Sequence, residues 1–596
     1  MQSLRVSFLP QLLVSRATVW ALLACAAIAV PVLVAQPIPP LPSFLRQALS
    51  LFGWGAMLAV MAKGLPARSG MCDFDQRVFL AGLLLLLATA LVTPWWTGQP
   101  VSLALCVAAM IAAAALAAIA GAALQRSGSG AQAFRTLCIG ILVAAAANAC
   151  IAVVQIYAPS WIDGYWIAPT AGNGRATGNL RQSNHLCTLA LWGIVAVLWL
   201  RETHALRQLT VWLLILLLMF AVVLTGSRLG LAGVLTLTLW GLLDRHLSRS
   251  TRTMLLLAPI AYALLWTLAA VGAHHGYSAF DSERRFSVAG ALVTSRFEVW
   301  ANTLDLIRAY PWFGVGMREF NFAWSLTEFP TRSGEFFHHT HNLPLQFAVE
   351  LGLPLATLVM TLLGWAIWAA ARNCRLGLAR AGTASPTRPA LVMLSLVLLH
   401  SMLEYPLWYA YFLLPAAFML GLCLASSIRN DAARAKAVGP GDSTTNLRSA
   451  ALLLMLGAAF SVLDYLRVVP IFVAPPPDIA RPLNERIAAG QESLLFPYLA
   501  DVGAAMNSPD PADALGPSRR AAHLLLDAST MLTYANSLHA TGDTERAKYV
   551  ARRLKEFPSA ETQAYFAPCK DATLTDAQRP YQCFAPQRKF TFEDFR

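Results

Sequence analysis

The sequence predicts an all-α membrane protein that crosses a lipid bilayer about thirteen times. Hydrophobic residues make up 57% of the 596 positions and charged residues only 13%, so a soluble fold of this chain could not cover itself with polar surface. Apolar runs long enough to cross the hydrocarbon core recur along the chain. Lys and Arg cluster in the short loops between these runs, as they do in multi-pass proteins.

About thirteen apolar runs have the length that a membrane helix needs. The first nine cover residues 18–36, 46–62, 78–95, 101–124, 136–157, 185–200, 209–224, 229–243 and 253–272. The other four cover residues 343–371, 389–403, 407–426 and 449–466. Arg5 and Arg16 precede the first run as in a signal peptide, but no small-residue cleavage site follows it, so we interpret it as the first membrane helix.

The charge pattern predicts a cytoplasmic N-terminus. Basic loops lie in the cytoplasm under the positive-inside rule, and the loop after the second run is basic, with Lys63, Arg68 and Arg77. An odd number of crossings then places the C-terminal residues outside. The net charge of +13 follows this loop pattern, so it indicates a lipid bilayer as partner and not a nucleic acid.

Two regions are predicted. Residues 1–466 form a transmembrane catalytic domain with a large outside loop, 273–342, and residues 467–596 form a soluble helical tail. The periodicity of residues 531–554 predicts a helical hairpin, which resembles half of a tetratricopeptide repeat pair. Cys569 and Cys583 are the two cysteines of the tail. An oxidising compartment favours a disulfide between them, and two free thiols are the alternative.

Three histidines, His338, His339 and His341, lie where the long outside loop meets the tenth apolar run. The positive end of a helix dipole favours the neutral form of a histidine, and neutral histidine can accept a proton from a hydroxyl group. We therefore expect a general base here. Two alternatives remain: a metal site formed by His339 and His341, which lacks a nearby Asp, Glu or Cys, and interfacial histidines without chemistry.

Three arginines, Arg181, Arg228 and Arg296, lie in outside segments, where the topology rule disfavours basic residues. Guanidinium groups bind phosphate bidentately and keep their charge. Several of them together would hold a diphosphate and stabilise it as a leaving group. For any one arginine the alternative is snorkelling toward the lipid headgroups.

A proline interrupts two apolar runs in the segment His400–Tyr409. Glu404, Tyr405 and Tyr409 offer a carboxylate and two phenols that can contact sugar hydroxyls. Aromatic residues are also enriched at membrane interfaces, so a purely interfacial role stays open for Tyr409 and Trp408. An aromatic belt does not explain Glu404.

At these segments the chain resembles the O-antigen ligase and O-oligosaccharyltransferase superfamily, and more closely its bacterial protein O-oligosaccharyltransferase branch, the PglL or pilin-glycosylating type. The strongest matches are Gly178–His185, His339–Gly352 and His400–Tyr411. The resemblance covers most of the chain. It implies a GT-C-like enzyme of the bacterial inner membrane with a periplasmic tail. Such an enzyme works without a metal or other cofactor and transfers a glycan from undecaprenyl diphosphate to Ser or Thr of periplasmic proteins such as pilin.

The resemblance also implies residue roles. His341 matches the histidine that activates the acceptor, and Arg228 and Arg296, with Arg181 nearby, match arginines that bind the diphosphate. Gln182, and Tyr405 or Tyr409, match contacts to the donor, and we expect His339 and Glu404 beside them. A single displacement by the activated hydroxyl would invert the anomeric centre.

Three other functions compete with this one. A ligase that joins O-antigen to lipid A core shares the membrane domain and the histidine, and a polymerase extends the glycan on its lipid carrier. The long tail and the segment Glu404-Tyr405-Pro406 favour a protein acceptor. A transporter would need charged residues along its path, and the predicted helices are almost free of charge.

Overall fold

The computed structural model describes residues 15–63, 65, 72–170, 174–281, 289–381, 385–425, 443–476 and 481–596. Within these residues the regular structure is helical and contains no strand, which confirms the all-α class. The membrane helices are α1 Arg16–Leu33, α2 Phe44–Met61, α3 Phe74–Val92, α4 Val101–Arg126, α5 Gly130–Tyr157, α6 Ser183–Glu202, α7 Gln208–Leu224, α8 Arg228–Leu243, α9 Arg249–His274, α13 Leu353–Ala381, α14 Thr387–Ser401, α15 Ala410–Leu424 and α16 Ser443–Tyr465. The other helices are α10 Ala289–Ala309, α11 Phe320–Leu326 and α12 Leu343–Leu351, followed in the tail by α17 Leu483–Gln491, α18 Pro497–Asn507, α19 Leu515–Ala522, α20 Ala528–Ala540, α21 Thr544–Leu554 and α22 Ala560–Tyr565.

The membrane helices fall into two length classes. Among the described residues, nine are long and apolar enough to cross a bilayer, whereas α7, α8, α14 and α15 are shorter apolar helices. The chain is therefore a multi-pass membrane protein. A helix of 15 residues, such as α14, covers about 22 Å of a hydrocarbon core that is about 30 Å thick. The count of thirteen crossings consequently remains a prediction.

Helix α6 lies at the centre of the bundle. Its apolar window is 94% buried inside the protein, a larger share than in any other of the nine long helices. A helix that is apolar on all sides is buried on all sides. The side chain of Gln182 caps its N-terminus by accepting a hydrogen bond from the backbone N–H of His185 at 2.9 Å. This capped end of α6 lies at the candidate site.

Helices α4 and α15 pack with their backbones in close contact. A Cβ atom on Gly121 would lie 2.2 Å from the carbonyl oxygen of Phe418, and one on Gly421 would lie 2.0 Å from the carbonyl oxygen of Ala118. Small residues allow such an approach in membrane bundles, where dispersion contacts drive helix association. We infer that this contact fixes α15, and with it the turn that precedes α15.

The predicted helix 343–371 is divided in the structure. The short helix α12 ends at Leu351, and α13 begins at Leu353. Gly352 between them has a φ of 76°, and a Cβ atom there would lie 2.3 Å from the carbonyl oxygen of Trp312. Apolar content alone could not reveal this break, because both sides of Gly352 are apolar. The break separates α12 from the membrane helix α13, so α12 packs as a continuation of the outside loop.

The outside loop and the tail share one hydrophobic core. From the loop and α12 it takes Val299, Phe320, Trp324, Phe337 and Val349, and from the tail it takes Met531, Tyr534, Val550, Phe557 and Phe592. A buried contact joins Glu319 to His523, with 2.9 Å between a carboxylate oxygen and Nδ1. Helices α20 and α21 lie where the periodicity predicted a hairpin. The repeat-like character of the tail stays a prediction.

Candidate active site

Segments that are distant in the sequence meet at one end of the bundle, around the carboxylate of Glu404. Asn184 Nδ2 and Arg296 Nη2 each donate a hydrogen bond to Oε1, both at 2.9 Å. Nδ1 of His341 lies 3.2 Å from Oε2. Asn184 belongs to the start of α6, Arg296 to α10, His341 to the end of the outside loop, and Glu404 to the turn between α14 and α15. Four membrane helices separate Asn184 from Arg296, none separates Arg296 from His341, and two separate His341 from Glu404. Because each of these numbers is even, all four segments can return to one face.

Glu404 is ionised at neutral pH. Burial raises the pKa of its carboxyl, but the hydrogen bond with His341 and the positive charge of Arg296 outweigh burial, and that pKa falls to about 2. The side chain is 9% exposed, against 18% for His341 and 32% for Arg296. Glu404 is therefore positioned to hold its neighbours, and the two neighbours are the groups that a substrate can reach.

His341 presents one ring nitrogen to Glu404 and keeps the other available. An ionised carboxylate only accepts hydrogen bonds, so we place the ring hydrogen on Nδ1. Nε2 then carries the lone pair that can take a proton. Since 18% of the side chain is exposed, an acceptor hydroxyl can approach it. This is the arrangement in which a carboxylate orients a histidine base.

The backbone around His341 is strained and firmly held. His341 has a φ of 56°, a left-handed conformation that residues other than glycine seldom adopt. On its N-terminal side, the Thr340 N–H donates to Gln346 Oε1 at 2.8 Å, and the Thr340 carbonyl accepts from Trp300 Nε1 at 2.8 Å. On its other side, Asn342 caps α12 by accepting from the Leu345 N–H at 3.1 Å. These bonds stabilise the turn that directs the imidazole at Glu404.

The three predicted arginines occupy different surroundings. Arg296 is paired with Glu404. Arg228 is exposed at the start of α8, next to Ser227, and makes no ion pair within the described residues. Arg181 has a φ of 60°, and its Nε donates to the carbonyl oxygen of Ala35 at 3.1 Å. The structure thus brings Arg296 into contact with Glu404, the carboxylate that also contacts His341. Among the described residues, neither Arg228 nor Arg181 makes an ion pair with that carboxylate.

The predicted donor contacts divide in the same way. The ring of Tyr405 lies 5.3 Å from that of His341 and 4.3 Å from that of His339, whereas Tyr409 packs against His185 at 4.6 Å. Burial and the charge of Arg318 lower the pKa of His339 well below its usual range, so this histidine is neutral. Gln182 is occupied as the cap of α6. Of these residues, Tyr405 lies beside the imidazole of His341.

Sequence reasoning did not assign roles to Asn184 and Ser227. Ser227 Oγ donates to Asn184 Oδ1 at 2.6 Å, which orients the Asn184 amide so that its Nδ2 faces Glu404. Both residues lie within segments that the sequence singled out, beside Gln182 and Arg228. The sequence indicated only that these two segments matter. The residue types did not predict that the side chains of Asn184 and Ser227 would hydrogen-bond to each other.

Within the described residues, no group of three His, Cys, Asp or Glu side chains is arranged to hold a metal ion. His339 packs against Tyr405 and Trp408 rather than beside a second ligand. Cys569 and Cys583 form a disulfide in the tail.

Comparison with known families gives three matches along this chain. A family described as "O-Antigen ligase" matches residues 213–360, which include Arg228, Arg296 and His341. A family described as "Protein glycosylation ligase" matches residues 176–200, and one described as "Virulence factor membrane-bound polymerase, C-terminal" matches residues 389–568. The chain is thus similar to the O-antigen ligases and protein glycosylation ligases.

Two curated relatives come from Acinetobacter baylyi. A "ComP-specific O-oligosaccharyltransferase" is 26% identical over 282 residues, which are 45% of this chain and 47% of the relative. A "General O-oligosaccharyltransferase" is 28% identical over 276 residues, which are 42% of this chain and 44% of the relative. The chain therefore spans less than half the length of each of these O-oligosaccharyltransferases.

Proposed function

We propose that this chain is a glycosyltransferase of the bacterial inner membrane that transfers an oligosaccharide from undecaprenyl diphosphate to Ser or Thr hydroxyls of periplasmic proteins such as pilin. The observation that carries the proposal is the contact of Glu404 with both His341 and Arg296. Through this carboxylate a proton acceptor, His341, and a cation, Arg296, are held together, and both side chains are partly exposed. The similarity to two O-oligosaccharyltransferases supports the same reaction.

The base in this reaction is His341. Its Nε2 takes the proton of the acceptor hydroxyl while the hydroxyl oxygen attacks the anomeric carbon of the donor sugar. The bond from that carbon to the diphosphate oxygen breaks, and its electron pair leaves with the diphosphate. Glu404 stabilises the imidazolium that forms, because its carboxylate is already ionised and hydrogen-bonded to Nδ1. One displacement of this kind inverts the anomeric centre.

The leaving group carries the negative charge that develops. In this proposal Arg296 and the exposed Arg228 face the diphosphate and neutralise that charge without a divalent cation. Arg296 remains 32% exposed while it contacts Glu404, so part of its guanidinium is free to bind phosphate. Tyr405, beside the imidazole, is placed to contact the transferred sugar.

Two alternatives rest on specific matches. The "O-Antigen ligase" match over residues 213–360 favours transfer to lipid A core, and the polymerase match over residues 389–568 favours extension of the glycan on its lipid carrier. Both alternatives retain the same base and the same leaving group. They differ from our proposal only in the acceptor.

The test is glycosylation of a periplasmic acceptor protein in cells that supply the lipid-linked glycan. We expect glycosylated acceptor with the unchanged chain, none with His341→Ala at matched membrane levels, and full activity with His246→Ala, an exposed histidine between α8 and α9. Glycan on lipid A core, or longer lipid-linked glycan, without any modified protein would replace our proposal by the ligase or the polymerase. Full activity of His341→Ala would refute the mechanism.

A further inference from the structure

Arg46, at the outer end of α2, is a buried cation without a counter-ion. Only 3% of the residue is exposed. Its Nη1 donates to the carbonyl oxygen of Leu180 at 2.8 Å, and its Nε has no hydrogen-bond partner in the described part of the chain. No carboxylate within the described residues pairs with it. Burial of an unpaired guanidinium is costly, and at membrane depth such a residue usually marks a functional site.

The neighbours of Arg46 do not neutralise it. Arg181 adds a second positive charge nearby, the Tyr411 hydroxyl is hydrogen-bonded to the guanidinium, and Tyr409 lies near it. The Tyr411 hydroxyl is also shared with His185, whose Nδ1 lies 2.9 Å away. Glu404, the carboxylate of the candidate site, is already engaged by Arg296 and His341. The surroundings of Arg46 therefore hold more positive than negative charge.

Arg46 lies at the same face as the candidate site. Its partner Leu180 is three residues before Ser183, where α6 begins. The next residue of α2, Gln47, donates from Nε2 to the carbonyl oxygen of Trp408 at 3.0 Å and accepts from the Ala410 N–H at 2.6 Å, in the turn that also contains Glu404. The guanidinium is thus close to the groups that face the donor in the proposed reaction.

We propose that Arg46 binds a phosphate of a lipid-linked diphosphate, as a fourth arginine beside Arg181, Arg228 and Arg296. The inference rests on the proposed function and deepens it. A diphosphate supplies the missing negative charge and oxygen acceptors for the free Nε–H. Arginine suits this role because its fork of donors matches two phosphate oxygens.

A purely structural role is the competing explanation, because Arg46 also holds the Leu180 carbonyl. Two substitutions separate the roles. Arg46→Gln keeps an amide donor for Leu180 but removes the charge, whereas Arg46→Lys keeps the charge but loses the fork. A phosphate contact predicts that Lys retains more affinity than Gln. A contact needed only for Leu180 predicts no such order.

The experiment measures binding to the purified full-length chain in nanodiscs. The ligands are undecaprenyl diphosphate, undecaprenyl monophosphate and inorganic diphosphate, and the control is Arg77→Gln, an exposed arginine at the opposite end of the bundle. We expect Arg46→Gln to weaken undecaprenyl diphosphate about tenfold or more, with a smaller loss for the monophosphate and for Arg46→Lys. The control should match the unchanged chain.

Unchanged diphosphate affinity in Arg46→Gln, or equal losses in Gln and Lys for both lipids, would overturn the inference and leave the proposed function standing. No binding of undecaprenyl diphosphate by the unchanged chain would overturn both. If inorganic diphosphate bound as tightly as undecaprenyl diphosphate, the lipid would contribute nothing to binding, and the proposal of a lipid-linked ligand would be overturned. If Arg46→Gln does not fold, Arg46→Lys decides alone: its ratio of diphosphate to monophosphate affinity should fall below that of the unchanged chain.

Discussion

Glu404 holds a base with one carboxylate oxygen and a cation with the other. Glu404→Gln keeps the shape of the side chain but removes its charge. We expect the rate of glycan transfer to fall at least about tenfold, because His341 loses the partner that orients it and stabilises its protonated form. The measurement is the initial transfer rate at matched protein levels.

The matched control for that substitution is Glu335→Gln, which changes an exposed glutamate of the outside loop. It changes the same charge without touching the candidate site, so its rate should equal that of the unchanged chain. An unaltered rate in Glu404→Gln would mean that the contact with His341 does not serve transfer.

Glu350, a buried glutamate of α12, makes the stability of the fold depend on pH. Burial raises the pKa of its carboxyl from 4.5 to about 7, against the N–H of Arg318 and the amide of Gln346, which lower it. The folded state therefore binds this proton more tightly than the unfolded state. The resulting stability is present below pH 4.5 and is lost as the pH rises through 7.

Glu350→Gln removes this pH dependence. We expect the substitution to raise the melting temperature of the purified chain at pH 8 relative to the unchanged chain, and to change it little at pH 5. Gln346 Nε2, which donates to Glu350 at 2.8 Å, can still donate to the new amide oxygen. An equal shift at both pH values would show that the Glu350 carboxyl does not titrate as described.

The outside loop packs against the tail through an aromatic pair. Phe336 of the loop stacks on Phe557 of the tail with ring centroids 3.9 Å apart, and His341 is five residues further along the chain. We expect Phe336→Ala and Phe557→Ala each to slow glycan transfer about three- to tenfold, which corresponds to an aromatic contact of about 1 kcal/mol.

The double substitution tests the link between these two elements. If the stack supports His341, the double variant should be no slower than the slower single variant, because the two substitutions remove the same contact. Losses that multiply would indicate two separate roles. Phe584→Ala, which removes an exposed ring of the tail, is the control and should leave the rate unchanged.

The membrane helices could be predicted from apolar length, because backbone groups in lipid must be satisfied within each helix. The break at Gly352 could not, since it depends on the carbonyl of Trp312, which reaches this position only in the folded chain. Arg46 also escaped prediction. It stands at the first position of the apolar run 46–62, and its burial follows from the packing around α2.

The sequence predicted which segments form the candidate site, but it did not predict which side chains contact each other there. His341, Arg296 and Glu404 were each singled out by residue type and position, but no pattern in the sequence pairs them. Pairing depends on the order of helices in the bundle, which sets the loops that become neighbours at a face. The roles of these residues stay predictions until transfer is measured.

For the whole molecule, we expect the loop after α5, the outside loop and the tail to lie on one side of the membrane. A membrane-impermeant maleimide applied to intact spheroplasts should label Asp163→Cys, Glu335→Cys and Asp510→Cys above the level of the unsubstituted chain. His246→Cys, between α8 and α9, should be labelled only after lysis. Labelling of Asp510→Cys only after lysis would contradict the contact between tail and loop.

The core shared by loop and tail also sets when the protein becomes complete during synthesis. Phe595 fills that core but is made long after His341, with α13 to α16 between them. At about 5 to 20 residues per second, roughly 10 to 50 s separate the two. A nascent chain therefore carries its histidine before the surface that supports it. In the proposed reaction, the donor would therefore meet a finished site only after the tail has packed against the outside loop.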